Sequence, residues 1–326
     1  MIKNGTFSLG MLISIIGLVV MAVCTWIGLA LNHIAPAIAA VASIVVLLVG
    51  GVSVFIGVRA KTAGSDFGKW HTYEIFCIVG MFLALGFAIL PTITTFNFAL
   101  KNGELRDAAR QDIDGIDSLI VSFHEQETAR MNTTFRGLEN FVRHGHGNCS
   151  AGMRQYLQDE FRTTPQNFSN QLINNRRGEV RAQIDDIRLG NSMYVNAFAN
   201  RLENLRAVAN ATLPVGFGRL GQEMDNTSAQ VGEVLTDISS RLNLPVPYAG
   251  SSQQYNLTPS EAHEYSFSPT AYSEAYGVIG KIQPWSVVFA LLCAFAAMFY
   301  YIIAYRALRK AVDKGSKVSD RLGLPL

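Results

Sequence analysis

Four stretches of the chain contain no Asp, Glu, Lys or Arg and are dominated by apolar residues: 8–31, 35–58, 75–100 and 284–305. Each is long enough to cross a bilayer, whose hydrocarbon core takes roughly 20 helical residues. Backbone polar groups cannot be left unpaired in hydrocarbon, so such stretches have to be helices. The sequence therefore predicts an all-α membrane protein with four transmembrane helices and a large helical, coiled-coil-like extracytoplasmic domain at 101–283, between the third and fourth. Residues 1–100 form a three-span membrane region, and 306–326 form a basic cytoplasmic tail. Only 16% of the residues are charged, against about a quarter in soluble globular chains. That composition argues for a lipid bilayer as the first partner and against nucleic acid.

Charge asymmetry predicts the orientation. Residues 1–7, the loop 59–74 and the tail together carry ten basic and four acidic residues, whereas 101–283 carries seventeen basic and twenty-one acidic. Short loops rich in Lys and Arg remain cytoplasmic, and Arg306, Arg309, Lys310, Lys314 and Lys317 directly after the fourth stretch give the strongest single signal. Both termini are expected inside and 101–283 outside. The first stretch is too long and too uniformly apolar for a cleavable leader, whose apolar core is about 7 to 15 residues, and is expected to be retained. Asn32 to Ile34, with Pro36 behind them, leave room only for a tight antiparallel hairpin between the first two spans. Trp26, Trp70 and Trp285 fall near span ends, where interfacial anchors sit.

Beyond the third span the apolar residues thin to steps of three and four: Ile113, Ile116, Ile120, Phe123, then Met131, Phe135, Leu138 and Val142. This is one face of a helix continuing out of the membrane, with a stutter across the polar Glu127. From Lys101 to His144 it would run about 66 Å at the helical rise. A second helical stretch is expected at about 166–210, with Asn191 and Tyr194 in its seam or a break near Gly190. A third carries Phe217, Leu220, Met224, Thr227, Val231, Val234 and Ile238, ending at Pro245 and Pro247. Residues 243–283 must return to the membrane and are expected to pack along the helices. Narrow seams of this kind are often completed by a neighbouring subunit.

Little here spells out chemistry. Gly216, Gly218 and Gly221 form G-x-G-x-x-G, but no strand precedes them as a dinucleotide site requires, so a turn into a helix is the expected reading. His144, His146 and Cys149 are weak metal candidates, since the spacing is not that of a structural zinc site and no fourth ligand is at hand. No cofactor is expected. Of the cysteines only Cys149 lies outside the spans, which precludes an intrachain disulfide in the outer domain. Asp112, Asp114, Asp117 and Glu125 are expected on a solvated face. Six N-x-Ser/Thr sequons occur in 101–283, at Asn132, Asn148, Asn167, Asn210, Asn226 and Asn256. Asn132 is bracketed by apolar residues and Asn226 lies in a clean apolar run. With the lack of disulfides, this favours a bacterial inner membrane over a eukaryotic plasma membrane.

The order of two closely joined spans, a third, a large outer loop and a fourth resembles the layout of tetraspanins. The loop, however, lacks their Cys-Cys-Gly motif and has Cys149 alone, so the chain is assigned to no family. No ionisable residue interrupts the four spans, as transport would usually require. Their hydroxyls can bond helix carbonyls, and small residues such as Gly50, Gly51, Gly57 and the row Ala290, Ala294, Ala297 permit close packing. The expected function is non-enzymatic: a homo-oligomeric scaffold or assembly subunit docking envelope or secretion-system proteins through its outer domain. The alternatives are an oligomeric channel and an extracytoplasmic sensor signalling through a separate partner.

Overall fold

The computed structural model describes residues 9–62, 67–144, 148–188, 193–214, 216–250, 254–259 and 261–300. It is predominantly helical, and its apolar helices are of a kind that inserts in membranes. The helices are α1 (Leu9–Leu31), α2 (Pro36–Thr62), α3 (Phe67–His144), α4 (Ala151–Phe161), α5 (Asn170–Arg188), α6 (Met193–Asn210), α7 (Phe217–Arg241) and α8 (Ala271–Ile279), followed by α9 (Pro284–Tyr300). Two short strands, β1 (Val246–Ala249) and β2 (Tyr255–Thr258), pair antiparallel with Val246 opposite Thr258. Three of the helices are long and apolar enough to cross a membrane, and α8 with α9 passes the same test as a pair bent by 46°. The chain divides into two compact units, one of residues 1–106, 211–219 and 274–326, the other of 107–210 and 220–273.

The first unit has a core of Leu18, Met21, Val46, Val54, Met81, Leu85, Ala88 and Ala297. Its outward residues are equally apolar, with Val41, Phe76, Leu83 and Leu292 exposed. A helix set that is apolar on both faces fits a lipid surround. The α1–α2 turn closes through His33, at φ 62°, while the Ile34 N–H reaches back to the Leu29 carbonyl. This left-handed cap satisfies carbonyls at the end of α1, and Pro36 starts α2 where no N–H is needed. Gly28 lies against Pro91, where a Cβ would stand 1.9 Å from the Pro91 carbonyl oxygen, and Gly17 lies against the Ala297 backbone at 2.5 Å. Gly50 meets the side chain of Leu18, a Cβ there standing 2.3 Å from its methyl carbon, but Gly51 faces open space. The expectation of close packing thus holds at Gly50 and fails at Gly51.

The second unit is built on the continuation of α3, whose apolar face is buried at Ile113, Ile116, Phe123, Met131, Phe135 and Leu138. Ile173, Val180 and Ile184 of α5, Leu202 and Leu205 of α6, and Leu220, Met224 and Val231 of α7 complete the core. The expected second helix is represented by α5, ending at Arg188, and α6, starting at Met193; of its proposed polar seam, Asn191 and the side chain of Tyr194 lie outside the described residues, as does Gly190. Two elements depart from the sequence reading. The glycine-punctuated stretch after α3 contains helix α4, with Gly152 inside it and the Ser150 hydroxyl accepting from the Met153 N–H as N-cap. Ser at that position stabilises a helix start. The return segment contains the β1–β2 hairpin, and β2 takes a further bridge from the Asn148–Ser150 segment through Tyr255.

The lower half of α7 buries a face other than the one its three-four spacing predicts. Leu235 and Ser239 are buried, as is Leu242 just beyond the helix end, while Val234 and Ile238 are only half-buried. A straight helix drifts by about 20° per heptad, and the returning chain covers the side it drifts towards. There an extended strap runs antiparallel to α7, held by hydroxyls. The Ser228 Oγ donates to the Phe267 carbonyl, the Thr236 Oγ1 accepts from the Tyr265 N–H, and the Ser239 Oγ accepts from the His263 N–H. Gly232 lets the strap approach, since a Cβ there would lie 2.3 Å from the Tyr265 carbonyl oxygen. Hydroxyls on a helix surface thus serve the strap's backbone as the next strand of a sheet would.

Candidate functional site

The densest polar constellation among the described residues centres on Glu127 of α3. Its side chain is wholly buried, and Oε1 accepts from the Ser239 Oγ at 2.7 Å and from the Tyr265 hydroxyl at 3.0 Å. The His263 Nδ1 lies 3.1 Å from the same oxygen, and the Arg130 Nη1 donates to Oε2 at 3.0 Å. Arg130 also donates to the Ser239 carbonyl. A buried carboxylate is tolerated only when paired and hydrogen-bonded, and four side chains supply that here. Burial and the neighbouring carboxylate push the Tyr265 phenol well above its ordinary range, keeping it a donor. Only the imidazole of His263, 45% exposed, opens the cluster to solvent. The helical spacing that reads Glu127 as a stutter misses this site. Apart from Arg130, one turn on, the partners lie far away in sequence, on α7 and the strap.

Asp112 is a second such group. It is 2% exposed and accepts the Tyr272 N–H at 2.8 Å and the Ala271 N–H at 3.3 Å. Its carboxylate therefore caps the first turn of α8, where negative charge and free N–H groups attract each other. The expectation of a solvated face is corrected at this residue. Asp114 and Asp117, by contrast, share Arg206 near the surface, and Glu125 is exposed as expected. Spacing alone does not separate Asp112 from its neighbours, because the helix end that it caps comes from the distant return segment.

The first unit has a corresponding knot at Asn97, 1% exposed. Its Nδ2 donates to the Ile279 and Lys281 carbonyls at 2.8 Å each, and its Oδ1 accepts from the Ser286 hydroxyl. These are the carbonyls released where α8 ends before α9 begins, and in hydrocarbon such groups require a partner. Most hydroxyls of the apolar helices end on carbonyls, although the Ser14 Oγ accepts from the Tyr300 N–H. Thr25 donates to Met21, Ser43 to Ala39 and Thr92 to Ala88, whereas Thr95 crosses from α3 to the Cys24 carbonyl of α1 at 2.6 Å.

The three glycines of the G-x-G-x-x-G pattern each have a structural cause. Gly216 adopts φ 107° in the turn before α7. A Cβ on Gly218 would stand 2.8 Å from the Ala30 carbonyl oxygen, and one on Gly221 would meet the Tyr272 ring at 3.3 Å. A helix and a turn, not a strand, precede them. The His144 imidazole bonds the Asn140 carbonyl one turn back, and burial raises the Cys149 thiol above its usual range. His146 lies outside the described residues, among which no group of three His, Cys, Asp or Glu is placed to hold a metal ion. The Trp26 Nε1 donates to the Pro36 carbonyl across the hairpin, and Trp285 is 70% exposed. The side chain of Trp70 and the tail residues Arg306, Arg309, Lys310, Lys314 and Lys317 fall outside the described residues.

The sequon asparagines give a last correction. Asn132 and Asn226, expected on packing faces, are both exposed, as are Asn148, Asn167 and Asn210, while Asn256 is half-buried. Asn132 lies between the buried Met131 and Thr134, on the side of α3 turned away from both, and faces solvent.

No family model, curated protein or solved structure matches the chain.

Proposed function

We propose that the chain is a four-span membrane scaffold with both termini cytoplasmic and residues 101–283 outside, assembling with its own copies and docking other membrane or surface proteins through its outer helical domain. The observation that carries this reading is how the buried polar groups are used. Glu127, Asp112 and Asn97 each tie together segments distant in the chain, and most of the span hydroxyls close on carbonyls. Catalysis would need a reactive group open to a substrate, and conduction would need polar groups facing a path. Polar chemistry that is consumed internally instead supports holding a shape for others to bind.

Cross-linking in cells, followed by mild-detergent purification and native mass measurement, tests the proposal. A defined oligomer carrying co-purified surface proteins is the expected result. A monomer without cross-linked partners would remove it, and single-channel currents in planar bilayers would replace it with the channel reading.

A further inference from the structure

The sequons of 101–283 are more numerous than composition explains and are not required by the fold. That segment holds 16 Asn and 24 Ser or Thr among 183 residues, from which random order would give about two N-x-Ser/Thr sites. Six occur. Three of the hydroxyls have structural uses: Thr134 donates to the Leu244 carbonyl, Ser150 caps α4, and Ser228 holds the strap. The asparagines two positions before them do not. Asn132, Asn148, Asn167 and Asn226 form no side-chain hydrogen bonds among the described residues, and all four are exposed. Asn132 and Asn226 lie inside α3 and α7, where an unbonded Asn is a poorer helix former than Ala, Gln or Lys. A residue that weakens its helix and forms no side-chain hydrogen bond there points outward to some other use.

Asn210 is also exposed. Its Oδ1 accepts from Arg110 while its Nδ2 remains free. Asn256 differs, because it is half-buried in β2 and its Nδ2 donates to the Gln254 carbonyl.

We propose that Asn132, Asn148, Asn167, Asn210 and Asn226 carry N-linked glycans and that Asn256 remains bare. The proposal rests on the reading that 101–283 is extracytoplasmic, and it reverses the expectation of a bacterial membrane. The donor is a polyprenyl-pyrophosphate-linked oligosaccharide, supplied with its transferase by the secretory pathway. The asparagine Nδ2 attacks the anomeric carbon. The C1–N bond forms, the C1–O bond breaks with its electron pair leaving on the pyrophosphate, and one amide proton passes to a base of the transferase. Transfer precedes folding, so a helical site is no obstacle. What the finished fold must provide is an outward-facing side chain, and these five positions do so. Glycans on α3, α6 and α7 and on both sides of α4 would restrict protein docking to the surface between them.

The test uses the full chain isolated from the cells that make it, treated with peptide-N-glycosidase in H2(18)O and mapped by mass spectrometry. The expected result is a lower intact mass and 18O-labelled deamidation at the five asparagines, with Asn256 unlabelled. Label at Asn256 with the other five bare would overturn the site assignment. A Cys149→Ser, Gln222→Cys chain labelled in intact cells with a membrane-impermeant maleimide reports the side independently, Gln222 being exposed on α7. Labelling together with bare asparagines overturns the glycan proposal and leaves the orientation standing. Labelling only after permeabilisation overturns the orientation and the glycans together.

Discussion

In the unit that holds α1, α2 and the start of α3, most buried hydroxyls bond a carbonyl four residues back, and backbones meet at glycine. In the unit built on the rest of α3, the buried carboxylates of Glu127 and Asp112 take donors 112 to 160 residues away, beside Arg130 three residues from Glu127. The difference follows from the surroundings. Lipid offers no competing water, so a span hydroxyl is satisfied cheaply by its own helix, and dispersion between closely packed backbones holds helices together. In the second unit, the long face of α3 has to be covered by chain returning from far away, and buried ionic groups pin that chain in one register. Asn97 belongs in character with the second set although it lies in the first unit. It sits at the break between α8 and α9, where helix carbonyls lose their own partners.

The sharpest way to break this contrast is Glu127→Ala. It leaves Arg130, whose side chain is 9% exposed, buried without its counter-charge, a loss of about 3–5 kcal/mol. Thermal unfolding followed by circular dichroism should show a large drop in Tm. A loss near that of an exposed ion pair would mean that the cluster is not buried in solution.

Gly28→Ala tests the other side of the comparison. Its Cβ would meet the backbone of Pro91, which cannot swing aside as a side chain could. Overpacking of this kind costs about 1–3 kcal/mol, and SDS titration of the detergent-solubilised protein would register it. Gly51→Ala, which meets nothing within 4 Å, serves as the control and should change little.

Asp112→Ala removes a cap rather than an ion pair, and about 0.5–2 kcal/mol is expected. Asp114→Ala, two residues along and sharing Arg206 near the surface, should cost under about 1 kcal/mol. Equal effects from the two would erase the distinction drawn between them.

The smallest effect is alkaline. The Tyr265 phenol is held above its ordinary range by burial and by Glu127. Its contribution is therefore fully present below the unfolded value near pH 10 and is lost as pH rises beyond it, because the unfolded chain releases the proton first. A pH series of chemical unfolding should show this decline in the natural chain and a weaker one in Tyr265→Phe.

The spans, the hairpin at Asn32–Ile34 and the apolar face of α3 are legible in the sequence because each is set by local period and length. The buried side chains that define the candidate site are not. Asp112 and Asp114 differ by two places on one acidic helix, and only the arrival of α8 decides which is buried. Glu127 reads as a flaw in an apolar stripe until Ser239, His263 and Tyr265 meet it. Seams in α7 shift for the same reason, since the strap that covers them is a segment without helical period. Local pattern reports which face of a helix turns inward, while the partner of a buried polar group depends on topology.

Hydrogen exchange of the full chain in detergent, read by mass spectrometry over residues 263–272 before and after Glu127→Ala, tests most directly whether buried polar groups pin the returning segment. The account predicts slow exchange at the His263, Tyr265 and Tyr272 amides in the natural chain. In the variant, protection should fall at His263 and Tyr265 and persist at Tyr272, which Asp112 holds. Exchange at the rate of an unstructured peptide in the natural chain would contradict it.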